Sequence, residues 1–158
     1  MELYFVRHGI AEEREQWAPQ PDHLRPLTAE GITRMRKSAV TIKALGVRPA
    51  AILTSPMTRA RQTADILGQA LDCVVTEVEA LASFSIDALS ELLDHYPTAD
   101  SLLLVGHEPD FSTVVEMLIG GGQVVVKKGS LIRVDLYATH PPRGYLTWLI
   151  PPKALLLR

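Results

Sequence analysis

Apolar and polar positions alternate along the chain in blocks that predict strands and helices in turn. Leu3-Tyr4-Phe5-Val6 is a continuous apolar run, short enough for a strand buried on both faces, and it runs straight into Arg7-His8-Gly9. Residues 10–27 hold Glu12, Glu13 and Glu15 and then Pro19, Pro21 and Pro26, a mixture that cannot sustain one helix and predicts a long loop leaving the strand end. Thr28 supplies an N-cap for the next helix. Glu30 lies in its first turn, Ile32, Met35, Ala39 and Ile42 share one face, and Gly46 ends it.

Residues 50–54 predict a second strand, followed at once by Ser55 as N-cap and Pro56 as first residue of a helix that carries Arg59 about one turn in. Residues 73–78 predict a third strand, and Ser85 caps a short helix with Leu89, Leu92 and Leu93 inward, ending near Tyr96-Pro97. A fourth apolar run, 101–105, ends in Gly106-His107, echoing the first. Asp110 then caps a helix over 111–119 that Gly120-Gly121-Gly122 terminates. Residues 123–126, 131–137 and 145–150 predict strands joined by turns. Strands alternating with helices make this an α/β protein: one three-layer sandwich over residues 1–158, with a mainly parallel central sheet and antiparallel edge strands from the C-terminal third.

Composition narrows the chemistry. Of 158 residues, 47% are apolar and 22% charged, enough to bury a core in one domain. A net charge of -2 gives no general attraction to nucleic acid or an anionic membrane, so an anion site must be a local cluster of cations. A single cysteine, Cys73, allows no internal disulfide and reads as a small apolar residue. With no leader-like N-terminus and no long apolar run, the expectation is a cytoplasmic monomer with no nucleic-acid or membrane partner. The five histidines show no short metal-ligand spacing, so neither metal nor cofactor is expected.

Three predicted strand ends offer Arg7 and His8, Arg59, and His107, each beside a glycine or a helix start. If they converge, two guanidinium groups and two imidazoles share a pocket, which suits a phosphoryl group: fork-shaped donors for its oxygens and a nucleophile in line with the bond that breaks. A neutral histidine can attack phosphorus and divide a hard hydrolysis into two transfers, and neighbouring cations oppose its protonation.

These residues resemble the histidine phosphatase superfamily, also called phosphoglycerate mutase-like. The likeness rests on Arg7-His8-Gly9, Leu27-Thr28-Ala29-Glu30-Gly31, Ser55-Pro56 followed by Arg59, Gln62-Thr63-Ala64, and Gly106-His107, in that order. It implies that His8 is the phosphorylated nucleophile, that Arg7 and Arg59 bind the phosphoryl oxygens, and that His107 completes the pocket. Gly9, Ser55 and Arg25 join them as expected substrate contacts. The small size and Arg25-Pro26-Leu27-Thr28 look like the SixA-type phosphohistidine phosphatases, implying a phosphorylated protein substrate such as a histidine phosphotransfer domain.

Larger members of that family place a glutamate general acid after the third strand, where this chain offers Glu79; another branch places an acid directly after the second histidine, where it has Glu108. Neither match is compelling. An alkoxide leaving group generally needs a proton in the transition state, whereas a protonated phosphohistidine can expel a neutral imidazole without one, so a site poor in acids suits the N–P bond. Two other functions remain open at this point: a phosphomonoesterase for a small phosphate ester, with Glu79 or Glu108 as acid, and a non-catalytic phosphoprotein-binding domain.

Overall fold

The computed structural model describes residues 1–157. Its centre is a six-stranded sheet in the order β3-β2-β4-β1-β5-β6. The strands are β1 (Glu2–Arg7), β2 (Ala51–Thr54), β3 (Val75–Glu77), β4 (Ser101–Gly106), β5 (Leu131–Thr139) and β6 (Pro142–Ile150). The first four run parallel, while β5 lies antiparallel to both β1 and β6. The antiparallel strand β5 therefore sits one position inside the sheet, and β6 forms the edge.

Among the described residues, six helices accompany the sheet: α1 (Arg14–Trp17), α2 (Ala29–Ala44), α3 (Thr58–Leu71), α4 (Ile86–Asp94), α5 (Asp110–Leu118) and α6 (Pro152–Leu155). Because side chains alternate along a strand, β1 feeds two cores. Leu3 and Phe5 pack with Leu89 and Leu93 of α4 and Phe111 and Val115 of α5, whereas Tyr4 and Val6 pack with Met35 and Ile42 of α2 and Ala64 and Leu67 of α3. The fold is the expected α/β sandwich of one domain, with β1 and β4 buried from both sides.

Several local expectations are corrected. Ser55 is not the N-cap of α3: the helix begins at Thr58 with Met57 as N-cap, and the Ser55 hydroxyl, in contact with His107, accepts the Met57 N–H at 3.3 Å just ahead of the helix. Asp110 does not cap α5 but is its first residue, its carboxylate accepting the Phe84 N–H at 2.8 Å, while Glu108 Oε1 accepts the Ser112 N–H in the first turn at 2.9 Å. Residues 123–126 form no strand; the Val124 N–H goes to the Glu116 carboxylate and the Val126 carbonyl to Arg7. The 10–27 segment leaves the strand end as expected but contains α1 and a 3-10 turn, Asp22–Leu24.

One close approach pins that segment. A Cβ on Gly31 would collide with the backbone carbonyl of Ile10, which itself accepts the Thr28 N–H at 3.0 Å. Thr28 caps α2 as expected, its hydroxyl accepting the Gly31 N–H at 2.9 Å.

Candidate active site

The carboxyl ends of three neighbouring parallel strands, β2, β4 and β1, deliver Ser55, His107 and the Arg7-His8-Gly9 run to one edge of the sheet, where open α/β sheets hold their ligands. Backbone bonds set them level: the Ser55 N–H donates to Val105 at 3.0 Å and the His8 N–H to Gly106 at 3.1 Å. Insertion of β4 between β1 and β2 is what makes the two histidines, distant in sequence, neighbours with ring centroids 5.2 Å apart.

His8 is buried, and its Nδ1 lies 2.8 Å from the Gly9 carbonyl oxygen. A carbonyl can only accept, so Nδ1 carries the proton and Nε2 the lone pair. That lone pair faces Arg59, whose Nε donates to it at 3.3 Å. Burial, and then the nearby His107, Arg59 and Arg7, push the His8 pKa down to about 3 against the opposing bond to Gly9. The main cause is therefore loss of water, with His107 and then the two arginines adding to it.

His107 is also buried, with Nε2 2.8 Å from the Ser55 hydroxyl and its pKa pushed down to about 4 by burial and by Arg59. Arg7 spans the pocket floor, Nη1 donating to the Val126 carbonyl at 2.8 Å. Among the described residues, the buried atoms Arg7 Nε and His107 Nδ1 have no hydrogen-bond partner. Buried polar atoms are rarely left unpaired, and phosphoryl oxygens, which are acceptors, would satisfy an N–H at either position. Arg59 is 6% exposed, with Nη1 on the Asp22 carbonyl at 3.0 Å and Nη2 on the Asp22 carboxylate at 3.2 Å. Two guanidinium groups and two imidazoles, one of them accepting from Arg59 Nε through its Nε2 lone pair, thus stand together at the strand ends, a donor set suited to a tetrahedral oxyanion.

A model of the histidine phosphatase superfamily (branch 1) matches residues 3–96, a stretch that carries Arg7, His8, Ser55 and Arg59. This chain belongs to the histidine phosphatase superfamily. An uncharacterised protein of Picosynechococcus sp. is similar to this superfamily member, at 42% identity over 125 residues, 77% of this chain and 74% of that protein. The probable phosphoglycerate mutase GpmB of Escherichia coli O1:K1 is 30% identical over 99 residues, 58% of this chain and 45% of GpmB. Among solved structures, the protein histidine phosphatase SixA complexed with tungstate superposes with a TM-score of 0.86 at 25% identity, covering 98% of this chain and 99% of SixA.

The remaining candidates of this superfamily hydrolase are distributed unevenly. Ser55 lies at the centre, on His107. Gly9 is buried in the site, but its N–H donates to the Thr63 hydroxyl at 3.1 Å and its carbonyl holds His8. Arg25, expected at the rim, is buried and directed into the 10–27 segment, Nε on Asp22 at 3.0 Å and Nη1 on the Glu12 carbonyl at 2.7 Å. Glu79 stands exposed in the 3-10 turn after β3 and makes no bond to a pocket side chain among the described residues. Glu108 is half-buried beside the pocket, where its charge partly offsets the lowering of the Arg7 pKa by burial.

Asp22, bonded to Arg59, is the neighbour of the site that sequence reasoning missed. Its signal was slight, an acid three residues before Arg25 in a proline-flanked stretch. Gln62 and Thr63, quoted only as family residues, prove to be framing groups: Gln62 accepts the Leu27 N–H at 2.8 Å and Thr63 accepts that of Gly9.

Proposed function

We propose that this chain is a metal-independent phosphatase that takes a phosphoryl group onto His8 Nε2 from phosphohistidine on a cytoplasmic signalling or phosphotransfer protein. A histidine phosphotransfer domain and a carrier of a sugar-uptake phosphotransfer system are such substrates. The observation that carries this reading is the state of His8: neutral at physiological pH, its proton held on Nδ1 by Gly9, and its Nε2 lone pair set among Arg59, Arg7 and His107.

Arg59 Nε gives up its bond to His8 Nε2 for a phosphoryl oxygen, and the freed Nε2 lone pair attacks phosphorus as the bond to the leaving group breaks on the opposite side, giving phospho-His8 with Nδ1 still protonated. Arg7 and Arg59 hold the equatorial oxygens, and His107, oriented by Ser55, supports the charge that develops on them. Water then attacks the phosphorus as the N–P bond breaks with its electron pair going to Nε2; both protons of the water leave on the released phosphate, and His8 departs as a neutral imidazole because its Nδ1–H has stayed with Gly9 throughout. All charge stabilisation comes from guanidinium and imidazole groups, so no metal has a role in this scheme.

The leaving group decides the substrate class. Asp22, the carboxylate touching Arg59, is ill suited to donate a proton: burial raises its pKa, but the Arg25 bond and the charges of Arg59, Arg25 and Arg14 outweigh burial and hold it below the usual carboxylate range. A pocket without a ready acid favours a leaving group that departs neutral, and the likeness to SixA over nearly the whole chain supports the same choice. A second reading, a small-molecule phosphomonoesterase with Glu108 as acid, is favoured by the position of Glu108 beside Arg7 and by the likeness to GpmB. A panel of phosphohistidine proteins and small phosphate esters, with His8→Ala as control, separates the two. Preferred turnover of phosphohistidine proteins supports the proposal. Rapid turnover of esters with those proteins untouched transfers the assignment to the esterase.

A further inference from the structure

We infer that Asp22 is a specificity-determining residue: its carboxylate accepts the ring N–H of a phosphorylated imidazole and thereby favours N–P substrates over O–P substrates. The inference rests on the covalent route through His8 and names the group that reads the leaving group.

The position of Asp22 carries the argument. Arg59 stands between it and the nucleophile, with Nε turned inward to His8 Nε2 at 3.3 Å and Nη2 turned to Asp22 Oδ2 at 3.2 Å. The Arg59 side chain is 6% exposed and that of Asp22 39%, so the carboxylate is the solvent-facing partner of the pair. In-line displacement expels the leaving group on the side of phosphorus opposite His8, and the exposed carboxylate is open to a substrate ring arriving from solvent. Asp22 Oδ1 is occupied by Arg25 Nε at 3.0 Å and Arg14 Nε at 3.3 Å. An ionised carboxylate has about four acceptor positions, so one remains beyond these three contacts.

The groups facing Asp22 are Arg14 on α1, Arg25 after its own turn, and Arg59 on α3, with His107 close enough for the carboxylate to oppose the lowering of its pKa. These cations keep Asp22 ionised, and its charge opposes a dianionic ester approaching Arg59 from outside. A phosphohistidine protonated on its second ring nitrogen meets the same charge as an attraction. Accepting that N–H stabilises the protonated substrate. As His8 Nε2 forms its bond to phosphorus, the P–N bond breaks with its electron pair going to the substrate ring, which leaves as neutral imidazole with its proton on the other nitrogen. Asp22 would thus do for the substrate ring what the Gly9 carbonyl does for His8, and the proton that an ester needs from an enzyme acid is already on the leaving group.

The test is the ratio of kcat/KM for free phosphohistidine to that for p-nitrophenyl phosphate, in the wild type, Asp22→Asn and Asp22→Glu. The bond from Arg59 Nη1 to the Asp22 carbonyl, 3.0 Å, is to backbone and does not involve the side chain that either substitution changes. Asp22→Asn is expected to lower the ratio at least tenfold and to move the alkaline limb of the phosphohistidine profile to lower pH. Asp22→Glu is expected to restore part of the ratio. An unchanged ratio, with both substrates slowed together, overturns the inference and leaves Asp22 as a support for Arg59, while the His8 route stands. Failure of the wild type to form a phosphoenzyme at His8 with either substrate removes both.

Discussion

His8 combines two properties that usually exclude one another, deep burial and a lone pair aimed at a polar space, and the Gly9 carbonyl reconciles them by fixing the proton on the opposite nitrogen. Arg59 has an equally defined role, since its fork reaches His8 with one edge and Asp22 with the other. A lysine has no such fork. Loss of a preorganised charge donor of this kind costs about 10²–10³-fold in rate, so Arg59→Ala is expected to lower kcat/KM by that order, measured on the preferred phosphorylated substrate. Ser55 acts through His107 and makes one hydrogen bond to it; a typical net bond strength of ~0.5–1.5 kcal/mol predicts a loss of about 2–10-fold for Ser55→Ala. A loss as large as that of Arg59→Ala would show that Ser55 touches the substrate itself.

At the level of elements, the pocket depends on how closely the N-terminus of α2 approaches the residues just after His8. Gly31 permits this contact, since any side chain there meets the Ile10 carbonyl, and backbone cannot swing aside as a flexible side chain can. Overpacking of this kind costs typically 1–3 kcal/mol, so Gly31→Ala is expected to shift the denaturation midpoint down by a corresponding amount and to lower activity by displacing the Gly9-Ile10 turn. A variant as stable and as active as the wild type would show that the turn is not held from α2. Gly106 is a milder case at the end of β4, where a Cβ would lie 2.7 Å from the ring of Phe111, the far end of a side chain.

Across the whole molecule, two buried histidines make stability depend on pH. Each carries a proton in the unfolded chain below an ordinary pKa of about 6.5, whereas in the folded protein His107 takes one only near about 4 and His8 near about 3. Between these limits the unfolded state binds more protons, so their effect is to lower stability as pH falls from about 6.5, by up to ~1.4 kcal/mol per pH unit for each histidine. Replacing His8 with Asn removes one such group. Chemical denaturation at several pH values between 6.5 and 4 should therefore give a shallower pH slope in His8→Asn, and an equal slope would show that His8 is protonated normally when folded.

The alternation of apolar runs and amphipathic segments was enough for the α/β sandwich, because β1 and β4 are buried on both faces and read as unbroken apolar stretches. Arg7, His8, Arg59 and His107 were legible as a group because parallel strands all end at one edge. Val124-Val125-Val126 misled, since strand-forming residues without a neighbouring strand to bond become a connection, here satisfied by Glu116 and used by Arg7. Ser55-Pro56 misled in another way: the Ser55 hydroxyl meets His107 as well as the Met57 N–H, and the helix starts three residues later, at Thr58. Asp22 was hidden because its partner Arg59 is brought to it only by the path of the 10–27 segment, for which local pattern carries no signal.

The central claim is that His8 Nε2 receives the phosphoryl group, and trapping the intermediate tests it most directly. Protein mixed with a radiolabelled phosphohistidine donor and quenched in alkali is expected to carry an acid-labile, base-stable phosphate. Peptide mapping should place it on His8, and His8→Asn should remain unlabelled. Label that stays in His8→Asn, or that maps to another residue while His8 is intact, would contradict the account.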